Sequence, residues 1–210
     1  MRRLVALVAG TALLLAANSA MAGSITLSTA ELLLAHAIGS NTDASNGGDL
    51  RIALTTDGVL FTQNMSRPLD SPPDYVYSYV GVDAGVVGKS DLTGVDSFQL
   101  QLANTNNSPW DLALFVQADG VNYCGDYRTI PNQPSPVSFE GFSFDLSSLG
   151  TDISSIDYLG FAVRSTLDGD PSNPDAYHVV AAPTPEPGTL LLLGVGALGL
   201  AIVFKRRENS

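Results

Sequence analysis

The central part of this chain predicts an all-β fold, an antiparallel β-sandwich, and three observations predict it. Apolar and polar residues alternate in short runs, as they do on half-buried strands. Gly, Pro, Asn and Asp clusters separate those runs at short intervals. Helix-forming patterns are nearly absent, and Asp far outnumbers Glu, a bias toward turns rather than helices.

Taken in order, Ser28-Thr29-Ala30-Glu31 ahead of three leucines is a capping box, which predicts a short helix over about 29–37. Residues 40–49, rich in Asn, Asp, Ser and Gly, read as a loop. Residues 50–56 and 59–63 flank Asp57-Gly58, a two-residue hairpin signal. Residues 65–74, with three prolines, form a second loop, and Tyr75, Tyr77 and Tyr79 then alternate along a strand. Phe98, Leu100 and Leu102 alternate with Ser97, Gln99 and Gln101; after a turn over 104–109, Trp110, Leu112, Leu114 and Val116 alternate again, and this pair reads as a second hairpin. A further Asp-Gly, Asp119-Gly120, follows it, and residues 130–136 form a Pro-rich loop. Val137, Phe139, Phe142, Phe144 and Leu146 line two apolar faces, with a bulge expected at Gly141. Residues 158–163 and 177–181 supply the last strands. Some eight to ten short strands with little helix fit a sandwich.

Residues 1–22 have the layout of a signal peptide: Arg2 and Arg3, an apolar stretch over 4–17, and Ala20-Met21-Ala22 ahead of Gly23. Signal peptidase and the general secretion machinery are the expected partners, with cleavage between Ala22 and Gly23. At the other end, residues 189–204 form an uncharged apolar run followed by Lys205, Arg206 and Arg207. As a helix it would be about 24 Å long, and the flanking cations can extend to the headgroups to complete a span. The basic cluster puts the C-terminus on the cytoplasmic side. Three segments follow: a signal peptide (1–22), an ectodomain (23–182) and a terminal segment (183–210).

The ectodomain contains five basic residues against 17 Asp and two Glu, a net charge of −14. Such a surface repels nucleic acid and anionic lipid, so neither is expected as its partner. Cys124 is the only cysteine, so no intrachain disulfide forms and the domain relies on its core.

Two resemblances add to this reading. Pro185-Glu186-Pro187, the short Gly/Leu/Ala-rich span and the terminal basic cluster resemble the PEP-CTERM sorting signal of exported proteins in Gram-negative, exopolysaccharide-producing bacteria. The resemblance implies processing by an exosortase, a membrane transpeptidase, which transfers an inner-membrane-anchored precursor to the cell surface or extracellular matrix. In the ectodomain, the phrase from Ser138 to Ser165 resembles the strand–loop–strand phrase of jelly-roll carbohydrate-binding modules. It implies a jelly-roll form of the sandwich.

Candidate chemistry is sparse. Asp168, Asp170, Asn173 and Asp175 place four oxygen-bearing side chains in one loop, a candidate calcium site; a solvated Asp/Pro turn has the same composition, and the EF-hand spacing is not met. No other cofactor is expected. Trp110, with Tyr75, Tyr77, Tyr79, Tyr123 and Tyr127, is a candidate for stacking on sugar rings. No G-x-S-x-G, H-E-x-x-H or phosphate-loop pattern occurs, and Glu31 and Glu140 stand in no motif. The sequence therefore points to a non-catalytic structural or adhesive component of an exopolysaccharide-associated envelope or biofilm. The alternative is a carbohydrate-binding module, calcium-dependent if the acidic loop holds an ion. An extracytoplasmic hydrolase is the least favoured reading.

Overall fold

The computed structural model describes residues 23–40, 50–65, 76–91, 93–106, 108–131, 137–149, 155–165 and 175–184. The compact body they form spans Ser24–Thr184. Its strands are β1 (Ser24–Thr26), β2 (His36–Ser40), β3 (Arg51–Leu54), β4 (Val59–Met65), β5 (Val76–Asp83), β6 (Ser97–Asn104), β7 (Trp110–Ala118), β8 (Val121–Cys124), β9 (Arg128–Ile130), β10 (Glu140–Asp145), β11 (Ile156–Ser165) and β12 (Asp175–Ala182). One short helix, α1 (Thr29–Leu32), and one 3₁₀ turn, Leu146–Leu149, complete the described elements.

The strands form two sheets. Sheet A runs β3-β4-β12-β6, with β10 and β1 also paired to β6; sheet B runs β2-β5-β11-β7-β8, with β9 also on β7. Counted from β4 as the first of eight, and with β8 and β9 sharing the fifth place, sheet A holds strands 1-8-3-6 and sheet B holds 2-7-4-5. This interleaving is a jelly roll, in which the chain passes repeatedly from one sheet to the other. The all-β sandwich is thus the fold.

The core lies between the sheets and is built from alternate residues of the longer strands, β4–β7 and β10–β12. Phe61, Phe98, Leu100, Leu102, Tyr177 and Val179 of sheet A face Val80, Trp110, Leu112, Leu114, Leu159 and Phe161 of sheet B, all buried. Each large apolar side chain so buried contributes about 1.5–3 kcal/mol. Phe61 and Phe161 meet edge to face at 5.0 Å, and Trp110 meets Tyr177 at 6.0 Å. Among these apolar residues sits one polar pin: Ser78 Oγ of sheet B donates to Gln63 Oε1 of sheet A (2.7 Å), and Tyr177 Oη donates to the same oxygen (3.1 Å). Burial pushes the Tyr177 phenol well above its ordinary pKa, so it stays a neutral donor.

Several local expectations are corrected. The capping box at Ser28 and Glu31 is present, but the helix stops at Leu32 and His36 begins β2. Pairing of β2 with β5 (His36 opposite Gly81) overrides the helical pattern beyond Leu33. In the first hairpin the turn centres on Thr56-Asp57, one residue early, because the Thr55 N–H donates to Gly58 O (2.8 Å). Gly58 is needed for a different reason: a Cβ there would lie 2.6 Å from Ala181 O. The expected hairpin of 97–102 with 110–117 does not exist. β6 and β7 belong to opposite sheets and face each other across the core. Alternation marks one buried face but does not say whether the partner lies beside it or opposite it. Gly141 forms no bulge, since β10 pairs with β6 in unbroken register. Asp119-Gly120 does make the two-residue turn of β7–β8, both residues at positive φ (49° and 74°), as a type I′ hairpin requires.

The tightest backbone approach is in sheet B. Gly160 of β11 lies opposite Gly81 of β5, and a Cβ on Gly160 would stand 1.9 Å from Val80 O. Gly160→Ala is expected to lower unfolding stability by about 2–4 kcal/mol, because backbone must move. Gly141→Ala, with open space around its Cα, is expected to change it by under about 0.5 kcal/mol. Denaturant titration of the two variants measures the contrast.

Candidate functional site

The two outer faces of the sandwich differ in chemistry. Sheet A presents Leu60, Thr62, Gln99, Gln101, His178 and Val180, with no Tyr, Phe or Trp among its described outward positions. Sheet B presents Tyr77 and Tyr79 of β5, Tyr158 and Arg164 of β11, and Asp111, Phe115 and Gln117 of β7. Tyr127, from the β8–β9 connection, joins them.

Strand register arranges these residues in rows across the sheet. One row is Asp83, Tyr158, Gln117 and Asn122; the next is Gly81, Gly160, Phe115 and Cys124. Then come Tyr79, Ala162 and Ala113, and finally Tyr77, Arg164, Asp111 and Thr129. Small residues on the central strands leave room for rings to lie over the sheet. A second apolar cluster forms there, outside the main core: Ala113, Phe115 and Ala162 are buried beneath Ile38, Tyr79, Tyr127 and Tyr158. Tyr79 stacks on Phe115 (4.8 Å between centroids, 21° between planes), and Tyr77 lies 5.1 Å from Tyr79. His36, from β2, meets the edge of Tyr158 at 5.4 Å.

The polar groups at the far row are held in place. Arg164 Nε donates to Asp111 Oδ2 (3.2 Å), Thr129 Oγ1 donates to Asp111 Oδ1 (2.7 Å), and the Arg164 guanidinium lies 3.9 Å over the Tyr127 ring. The ion pair is partly exposed, so its worth lies more in fixing the guanidinium than in stability. At the opposite row Gln117 Nε2 donates to Asn122 Oδ1 (2.7 Å). Tyr127 Oη lies 3.8 Å from Cys124 Sγ. Burial raises the pKa of both groups, outweighing the Arg164 charge, which favours the ionised forms. The Cys124 thiol is therefore held protonated beneath the rings, not activated.

The sequence-predicted positions divide as follows. Tyr77, Tyr79 and Tyr127 come together on this face; Tyr123 points the other way and packs against the core edge. Trp110 is 1% exposed and packs on Tyr177, so it offers no ring to a sugar; the expectation of glycan contact there is corrected. It begins β7 on the inward parity, set by Leu112 and Leu114, which a count of aromatic residues does not register. Tyr158 and Arg164 were not expected in a site, although both share the outward parity of β11 with Gly160. Asp168, Asp170 and Asn173, Tyr75, Ala22, Pro185, Glu186, Pro187, Lys205, Arg206 and Arg207 lie outside the described residues; Asp175 begins β12. No cluster of three or more metal-ligating side chains occurs among the described residues. Nor does any described helix have the length and apolarity to cross a membrane.

Comparison with known proteins gives one match in sequence. Residues 183–207 match the PEP-CTERM protein-sorting motif, which marks the chain as an exported, membrane-anchored precursor addressed to an exosortase and is consistent with a terminal transmembrane helix. No curated protein matches the chain. Among solved structures, the chain is similar to an exo-beta-agarase (9% identity, 72% of this chain and 24% of that one, TM-score 0.33). It is also similar to CBM29_1, a family 29 carbohydrate-binding module from Piromyces equi (15% identity, 70% of this chain and 89% of that one, TM-score 0.30). The chain thus spans about a quarter of the agarase's length.

Trp110→Ala is expected to cost about 3–5 kcal/mol of stability, the range for a fully buried aromatic ring. Thermal melts and glycan-binding assays of this variant separate the two roles: a folded protein with normal stability and lost binding would contradict the core assignment.

Proposed function

We propose that this protein is a non-catalytic, exported surface or matrix protein that adheres to exopolysaccharide through the outer face of sheet B. The observation that carries the reading is the segregation of half-buried tyrosines on one outer face. Of the six described tyrosines, Tyr77, Tyr79, Tyr127 and Tyr158 share one outer sheet face, and among the described strand positions of the other face His178 carries the one aromatic ring. A sugar ring has an apolar C–H face and a rim of hydroxyls. Tyr rings match the first, and Asp111, Arg164, Thr129, Gln117 and Asn122 match the second.

The absence of catalysis is supported by the state of the titratable groups. Burial alone would raise the Glu31 pKa, but hydrogen bonds from Lys89 and Ser28 and the Lys89 charge bring it below its ordinary value, so it is a poor proton donor. Glu140 is paired with Arg128 (3.6 Å). His36 and His178 are on opposite outer faces, with the core between them, so they cannot share a reaction centre. A glycan-holding role needs none of these groups.

The sorting motif supplies the place. In this reading the signal peptide is removed on export, the C-terminal span anchors the precursor, and the exosortase releases the sandwich to the surface or matrix. Replacing Pro185-Glu186-Pro187 with alanines is expected to leave a full-length, membrane-associated precursor; normal maturation of that variant would contradict exosortase processing. For adhesion, the double variant Tyr77→Ala/Tyr158→Ala is expected to weaken retention on exopolysaccharide from the producing cells at least about ten-fold. The sheet A variant Gln99→Ala/Gln101→Ala should bind as the parent does. Equal loss in both would point to a fold defect, and loss only in the second would move the site to sheet A.

A further inference from the structure

Two open depressions flank the row Asp83–Tyr158–Gln117–Asn122. One, of about 350 Å³, lies at the β5–β11 end and is lined by Asp83, Ser90 and Asp157 together with Gln117 and Tyr158. The other, of about 520 Å³, lies past β8, where the edges of the two sheets meet, and is lined by Tyr123, Asp126, Ser143 and Asp145 together with Asn122. The row belongs to both: Tyr158 and Gln117 form a wall of the first, Asn122 a wall of the second, and the Gln117–Asn122 hydrogen bond (2.7 Å) joins them. The polar row crosses three inter-strand gaps, about 14 Å, before either depression is counted. Beside it runs the ring-covered row of Phe115.

We infer that the face takes an extended, uncharged polysaccharide strand, lying across β5, β11, β7 and β8 with its two ends seated in these depressions; the inference rests on reading this face as a glycan surface. Three features specify that ligand. Length follows from continuity, since a single sugar fills one depression, whereas a strand reaches both and the hydrogen-bonding row between them. Orientation follows from the register, which sets a line of hydroxyl, amide and carboxylate groups at right angles to the strands, alongside an apolar line. Charge follows from the lining. Asp83 and Asp157 stand at one end and Asp126 and Asp145 at the other, and no Lys or Arg lines either depression among the described residues. A uronate or sulfated chain would set its charges against those carboxylates at both ends. A neutral chain instead donates its hydroxyls to them. Part of that capacity is already used, because Asp83 Oδ1 accepts from the Val86 N–H, Asp157 Oδ2 from the Gly120 N–H and Asp145 Oδ1 from the Ser147 N–H. These backbone donors hold each carboxylate in a fixed orientation.

The test is calorimetric titration of the mature exported protein with neutral cello-, laminari-, xylo-, manno- and galacto-oligosaccharides, from trisaccharide to octasaccharide, and with oligogalacturonate. At least one neutral series is expected to gain ten-fold or more in affinity with length, and oligogalacturonate to bind more weakly than the neutral chains. Asn122→Ala/Asp126→Ala, at the second depression, is expected to weaken octasaccharide binding five-fold or more, and by a larger factor than it weakens trisaccharide binding, with the melting temperature showing that the variant is folded. Equal affinity for short and long chains, an octasaccharide indifferent to that variant, or preference for the uronate overturns the extended neutral track and leaves the glycan face standing. Absence of binding to every chain overturns the glycan reading itself, and the track with it.

Discussion

The close approach of β11 to β5 at Gly160 and Gly81 is the constraint on which the sandwich and its outer face both depend. β11 is central to sheet B, hydrogen-bonded to β5 on one side and β7 on the other. A side chain at Gly160 would collide with the backbone of Val80, so the ladder that aligns Leu159, Phe161 and Val163 toward the core requires glycine there. On the outward side the same two glycines, with Ala162 and Ala113, keep the middle of the sheet low. Rings from neighbouring positions can then lie over it. Core packing and surface chemistry are therefore set by the same residues, acting on opposite sides of one strand.

The inner layer has its own fixed point. Gln63, Ser78 and Tyr177 join the sheets through hydrogen bonds in an otherwise apolar interior, where an unpaired member would cost about 1–3 kcal/mol. Such a pin is directional in a way that apolar contact is not, and it fixes one sheet against the other. The outer layer follows, because once β5, β11 and β7 are in register, Tyr77, Arg164, Asp111 and Thr129 must share a row.

Much of the architecture was legible in the sequence, and what was not has identifiable causes. Alternation located β5, β6 and β7, the Asp57-Gly58 signal located β3 and β4, β11 and β12 fall on the runs 158–163 and 177–181, and positive φ at Asp119-Gly120 is what that dipeptide supplies best. Strand pairing was not legible: β6 and β7 are adjacent in sequence and equally amphipathic, yet lie in different sheets, because jelly-roll topology is settled by long-range pairing. The candidate site was half legible. Tyr77, Tyr79 and Tyr127 were singled out as aromatic residues, but Trp110 was singled out with them, and only its inward parity in β7 separates core from surface. Arg164 and Tyr158 were missed because their significance comes from neighbours on β7 and β5, distant in sequence. One signal was available: Tyr158, Gly160, Ala162 and Arg164 occupy the alternate positions left over when Leu159, Phe161 and Val163 are assigned to the core.

Sheet B, rather than sheet A, is the proposed binding face. Chemical-shift mapping of the mature protein against exopolysaccharide fragments from the producing cells tests it most directly. Perturbations are expected to cluster at Tyr77, Tyr79, Tyr127, Tyr158 and Arg164, with Gln99, Gln101 and His178 unmoved. Perturbations centred on the sheet A residues, or none at saturating fragment, would contradict it.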